Sequence, residues 1–200
     1  TTVCEVGTTA TTATTATVPI TTEPTVKPTQ APTEATQPTT LATDPPETTA
    51  EPEPPVTLYD VPLATELQLH IISEAESHGI DPAIVFAMAY RESTYNTGCI
   101  GDSGASLGLL QVQPRWHGER MKRLDCTDLL DPFQNVTVAV DYLHELLGAY
   151  GGSIEAALVG YNQGYYSGTV TGYARAVLAI AEELRGTTYE SYWPQTGPQS

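Results

Sequence analysis

From residue 60 onward, apolar positions recur at helical spacing between residues that start and stop helices. Leu63, Leu67, Ile71 and Glu74 fall on one face, with Ile72 and Ala75 beside them, which predicts a helix over residues 60–79. Pro62 suits a first helical position and Gly79 a stop. Asp81-Pro82 opens a second helix, Asp81 as N-cap and Pro82 as first residue. Residues 83–90 are apolar or aromatic throughout, and a helix apolar all round is buried. Residues 96–107 are rich in Gly, Ser and Asn and carry no stripe. They predict a loop, with a short β element running towards residues 109–112. Residues 114–124 suit a short helix. Asp131-Pro132 repeats the start signal, and its helix carries Val136, Val140, Leu143, Leu147 and Tyr150 on one face until Gly151-Gly152. Ser153 caps the next helix, with Ala156, Leu158 and Tyr161 inside and Gly164 as its stop. The last carries Tyr173, Val177, Ile180 and Leu184 and ends at Gly186. The fold class is mainly α: a helical domain with one irregular or short β insert between helices two and three.

Glu92 changes this picture from packing to chemistry. It follows Met88 by four residues and Ile84 by eight, so it shares an apolar stripe near the C-terminal end of a buried helix. Burial disfavours the ionised carboxylate by desolvation, and the helix C-terminus does so by its partial negative charge. A carboxyl kept protonated near neutral pH is what a glycosidase general acid requires. The competing reading is an ion pair with Arg91 or another cation at the helix end.

Composition divides the chain. Residues 1–57 hold 21 Thr and 10 of the 16 Pro, with only isolated apolar residues. Such a segment cannot bury enough apolar surface to offset the entropy of ordering. It is expected to be a disordered linker or stalk, of a kind found outside cells. The domain is then residues 58–190, followed by a tail over 191–200. The net charge is −16, and no basic stripe exists, which argues against nucleic acid as a partner. No run of 18 apolar residues is present, so no membrane-inserting helix is expected here, and no signal peptide is visible; an anchor upstream of Thr1 stays open. Of the three cysteines, Cys4 lies in the arm, while Cys99 and Cys126 fall in two loop-like stretches of the domain. A Cys99–Cys126 disulfide suits an exported protein; two free buried thiols are the alternative. No CxxC occurs, so neither zinc nor another metal is expected.

Five short motifs follow one another around Glu92: Glu92-Ser93; Gly101-Asp102-Ser103-Gly104 with Leu107-Gly108-Leu109-Leu110-Gln111-Val112; Asp131-Pro132-Phe133-Gln134-Asn135; Gly160-Tyr161-Asn162-Gln163-Gly164; and Tyr173-Ala174-Arg175-Ala176-Val177. Each alone is weak. In this order and helix context the set resembles the soluble lytic transglycosylase family, with its goose-lysozyme-like fold, over residues 63–184. The resemblance implies a peptidoglycan-cleaving enzyme in which Glu92 is the sole catalytic acid. It implies that Ser93 supports the substrate or the Glu, that Gln111 lines the sugar groove, that Tyr161 and Asn162 contact sugars, and that the Tyr173 hydroxyl reaches Glu92. Leu110 stands where the family has Met, and Gly160 where it has Ala. Tyr161 and Tyr173 are equally compatible with plain core aromatics.

The implied reaction is cleavage between N-acetylmuramic acid and N-acetylglucosamine with formation of a 1,6-anhydro end, without cofactor. The implied partner is the peptidoglycan strand, the implied location extracellular or in the cell envelope, and the expected state a monomer. The rival on the same fold is an inverting muramidase, which needs a second carboxylate. Asp102 is the nearby candidate, although a turn role in its Gly/Ser loop fits as well. The goose-type pattern also has an acid two residues after the Gln, where this chain has Gln113. A non-catalytic glycan-binding module is the rival of another class.

Overall fold

The computed structural model describes residues 56–192. The expectations for residues 1–55 and for Cys4 lie outside the described residues. Strand β1, Val56–Tyr59, leads into helix α1, Thr65–Ser77, and helix α2, Pro82–Ser93. Two short strands, β2 at Ile100–Gly101 and β3 at Ser106–Leu107, follow. Then come α3, Pro114–Arg123, α4, Pro132–Ala149, α5, Ile154–Gln163, α6, Gly172–Arg185, and strand β4, Thr188–Tyr192. The helices form the core and the insert falls between α2 and α3, as the periodicity predicts.

Capping explains most of the helix starts. The Asp81 carboxylate accepts from Ala83 N–H, Asp131 from Phe133 and Gln134 N–H, and Ser153 Oγ from Ala156 N–H. Helix α1 differs from expectation: it starts at Thr65, behind Ala64, with no side-chain cap. Pro62 therefore lies before the helix. Val61 N–H and Leu63 N–H bond back to Tyr59 and Val61 carbonyls, a run of tight turns that delays the helix. Gln68, buried on α1, anchors this entry by accepting from Tyr59 N–H and donating to the Leu63 carbonyl.

Helix α2 is the central element. Every residue from 83 to 89 is buried, while Tyr90 is exposed. It packs against α6 and α1, and α4 packs against α1 and α5. β1 pairs antiparallel with β4, with a bulge between Thr57 and Leu58. No pattern in the sequence marks this pairing.

The expected Cys99–Cys126 bridge does not form. Cys126 is a free, buried thiol. Its N–H bonds to the Met121 carbonyl, its Sγ lies 3.5 Å from the Leu124 carbonyl, and burial raises its pKa. Cys99, also buried, is disulfide-bonded elsewhere. Placement in two loops said nothing about which sulfurs meet.

Candidate functional site

Left-handed backbone concentrates where α2 ends and the insert begins. Among the described residues six non-glycine positions have positive φ: Thr94, Tyr95, Asp102, Ser103, Gln111 and Asp125. The first five all lie within 19 residues after Glu92. Such conformations are uncommon for residues with a Cβ, and held strain clusters at functional sites. Here it turns the chain sharply after Ser93. The insert then folds back by the β2–β3 pairing and the Leu107–Val112 bridge.

Asn135 fixes the returning strand. It is fully buried on α4; its Oδ1 accepts from Leu110 N–H at 2.8 Å, and its Nδ2 donates to the Leu107 and Leu129 carbonyls at 2.9 Å each. Gly108, at φ +73°, lies so close that a Cβ there would sit 2.4 Å from the Leu129 carbonyl oxygen and 2.5 Å from Asn135 Nδ2. One buried amide thus sets the segment that presents Gln111. Gln111 is buried too: its Nε2 donates to the Cys99 and Gly108 carbonyls, and its Oε1 has no hydrogen-bond partner. A buried acceptor left unpaired costs stability.

These elements surround a cavity of about 760 Å³ lined by Glu92, Asp102, Gln111, Gln113, Trp116 and Tyr161, among others. Glu92 is half-buried at the end of α2. Desolvation raises its pKa from 4.5 to about 7; the Tyr173 hydrogen bond and Arg91 oppose that rise, and Asp102 adds to it. The Tyr173 hydroxyl donates to Glu92 Oε1 at 2.5 Å from the first turn of α6, and burial holds its own pKa well above the ordinary phenol value. Tyr161, on α5, donates to the Leu110 carbonyl at 2.8 Å, and burial raises its pKa as well.

The expected residues divide by position. Glu92, Asp102, Gln111, Tyr161 and Asn162 all line the cavity. Tyr173 reaches it through Glu92. Ser93 is buried, and its Oγ donates to the Ala89 carbonyl of its own helix; it is not part of the cavity wall. Asp102 sits in a 3-10 turn, Asp102–Gly104, and its Oδ2 accepts from the Ser106 hydroxyl at 2.5 Å and Gln113 Nε2 at 3.3 Å. Ser106 Oγ also accepts from Gln113 Nε2.

The α3 side of the cavity was not legible beforehand. Arg120 donates to His117 Nδ1, Asp141 Oδ2 and Glu145, and Arg123 also binds Asp141. Together they clamp α3 to α4. Arginine can only donate, so neutral His117 carries its proton on Nε2. Burial first, and Arg120 second, lower its pKa to about 4. Trp116 projects beside it, 68% exposed, with the Arg115 guanidinium 4.3 Å from its ring centroid.

Among the described residues no cluster of three or more His, Cys, Asp or Glu could hold a metal ion, and no helix is long and apolar enough to cross a membrane. The arrangement offers a carboxyl that is partly protonated at neutral pH and a phenol hydrogen-bonded to it. It can deliver a proton and take one back.

One solved structure agrees with the fold. An inactive mutant of lytic transglycosylase Slt from Pseudomonas aeruginosa matches with a TM-score of 0.53 at 18% identity over 66% of this chain. The 70 kDa soluble lytic transglycosylase Slt70 from Escherichia coli matches with a TM-score of 0.45 at 24% identity over 60% of this chain. The matched region spans 27% and 19% of those two chains. The family model described as "Transglycosylase SLT domain" matches residues 70–175, a stretch that holds Glu92, Gln111, Tyr161 and Tyr173. The chain belongs to the transglycosylase SLT domain family.

Proposed function

We propose that this domain is a peptidoglycan lytic transglycosylase that cleaves the β-1,4 bond between N-acetylmuramic acid and N-acetylglucosamine. The observation that carries the reading is the Glu92 carboxyl, with a pKa of about 7, at a cavity wall under the Tyr173 hydroxyl. Protonated Glu92 donates to the glycosidic oxygen, the C1–O bond breaks, and the N-acetylglucosamine 4-hydroxyl leaves. The muramic 2-acetamido group supports the positive charge developing at C1. Tyr173 stabilises the carboxylate that Glu92 becomes. That carboxylate then takes the proton of the muramic C6 hydroxyl, whose oxygen attacks C1 and closes the 1,6-anhydro ring. Internal attack replaces water, and effective molarity favours it. Gln111, Tyr161 and Asn162 line the path of the strand.

Asp102 lines the same cavity and keeps the inverting hydrolase as the second reading. Its Oδ2 is already committed to Ser106 and Gln113, which favours a loop-holding role over activation of water. A wall polymer as substrate puts the action in the cell envelope or outside it. Residues 1–57 would then act as a tether or spacer for the domain. Glu92→Gln tests the assignment: release of muropeptides from purified peptidoglycan should vanish while circular dichroism is unchanged. Activity within a few-fold of wild type would remove Glu92 from the chemistry.

A further inference from the structure

Trp116 is the most exposed large apolar residue beside the cavity, at 68% exposure. A single exposed aromatic can be incidental. Three features set this one apart. It lies on the wall of the same cavity as Glu92 and Gln111. One face of its ring carries the Arg115 guanidinium at 4.3 Å, and among the described residues no other ring or cation stacks on it. The helix that bears it is locked to α4 through Arg120, Asp141 and Glu145. The helix that carries the ring is therefore fixed before anything binds, and less freedom is lost on binding.

We propose that Trp116 is a stacking platform for a pyranose ring of the glycan strand, away from the bond held at Glu92. This rests on the glycosidase reading and adds a specificity residue to it. The C–H face of a β-linked sugar carries partial positive charge and an indole face carries negative, so the two attract while apolar surface leaves water. Binding at a remote sugar adds affinity for the strand that is equal in the ground and transition states. The domain thereby favours strands of several sugars over short fragments.

The test measures kcat and KM on soluble glycan strands, together with intrinsic fluorescence during titration with the β-1,4 hexamer of N-acetylglucosamine. The chain has two tryptophans, Trp116 and Trp193, so a Trp193→Phe background isolates the indole of interest. Trp116→Ala should raise KM about tenfold, a loss on the scale of one good contact, while kcat stays within about twofold. Trp116→Phe should recover most of the loss, the melting temperature should not move, and the hexamer should shift Trp116 emission. An unchanged KM for Trp116→Ala with no emission shift would overturn the platform even if the wild type cleaves peptidoglycan. A hexamer-dependent shift in a protein that releases no muropeptides would support the platform and reject the glycosidase.

Discussion

The Tyr173 hydroxyl and the Glu92 carboxyl meet at 2.5 Å across 81 positions of chain, α6 delivering one and α2 the other. The phenol O–H can only favour the ionised form of its acceptor, so it counteracts part of the desolvation that lifts Glu92. Tyr173→Phe should therefore raise the Glu92 pKa and move the alkaline limb of kcat/KM to higher pH. The rate should fall by about ten- to a hundredfold, as expected for one hydrogen bond to a charged group. A pH–rate profile that keeps its wild-type midpoint would show that the contact does not tune the acid.

The same pKa shift links to stability, with a definite sign. Burial lifts Glu92 from the ordinary carboxyl value of 4.5 to about 7 in the folded chain. Between those values the unfolded chain loses the proton and the folded chain keeps it, so stability falls as pH rises. Wild type and Glu92→Gln should melt alike below pH 4.5. The variant should become the more stable one as pH rises to 7, with no further divergence above. A parallel course of the two melting temperatures across that window would refute the buried-acid description.

Asp102 separates the two glycosidase mechanisms. If attack is internal, no water needs a base, and Asp102→Asn should keep most of the activity. If Asp102 activates water, the loss should be about a hundredfold or more. Ser106 and Gln113 bind this carboxylate, so circular dichroism must accompany the rates to separate loop damage from lost chemistry.

Asn135 and Gly108 should govern whether the cavity exists at all. Asn135→Ala leaves the Leu110 N–H and two carbonyls without their partner and should cost about 2–4 kcal/mol. Gly108→Ala drives a Cβ into the Leu129 carbonyl at a left-handed position and should cost at least about 2 kcal/mol. Urea unfolding would measure both; a loss under about 0.5 kcal/mol, the range of an ordinary surface change, would contradict the clamp.

The helices were legible because their start signals are local: Asp81, Asp131 and Ser153 cap as their sequence context suggests. Pro62 misled because a proline that suits a first turn suits the turns before a helix equally well. The β1–β4 pair was invisible because strands of four and five residues at opposite ends of the domain carry no local signal of each other. Glu92 stood out by its stripe and Tyr173 through family resemblance. Trp116, His117 and Arg120 did not, because their significance depends on α3 lying against α4. Nor could the sequence tell that Gln111 would be held at φ +49° with its amide oxygen unpaired.

Internal attack by the muramic C6 hydroxyl is recorded directly in the product. Purified peptidoglycan digested by the wild-type domain should be separated and its muropeptides weighed by mass spectrometry. The fragments should end in 1,6-anhydro-N-acetylmuramic acid, lighter by one water (about 18 Da) than hydrolysis products, since C6–O–C1 closure replaces water. Reducing N-acetylmuramic ends instead would contradict internal attack and make the domain a hydrolase.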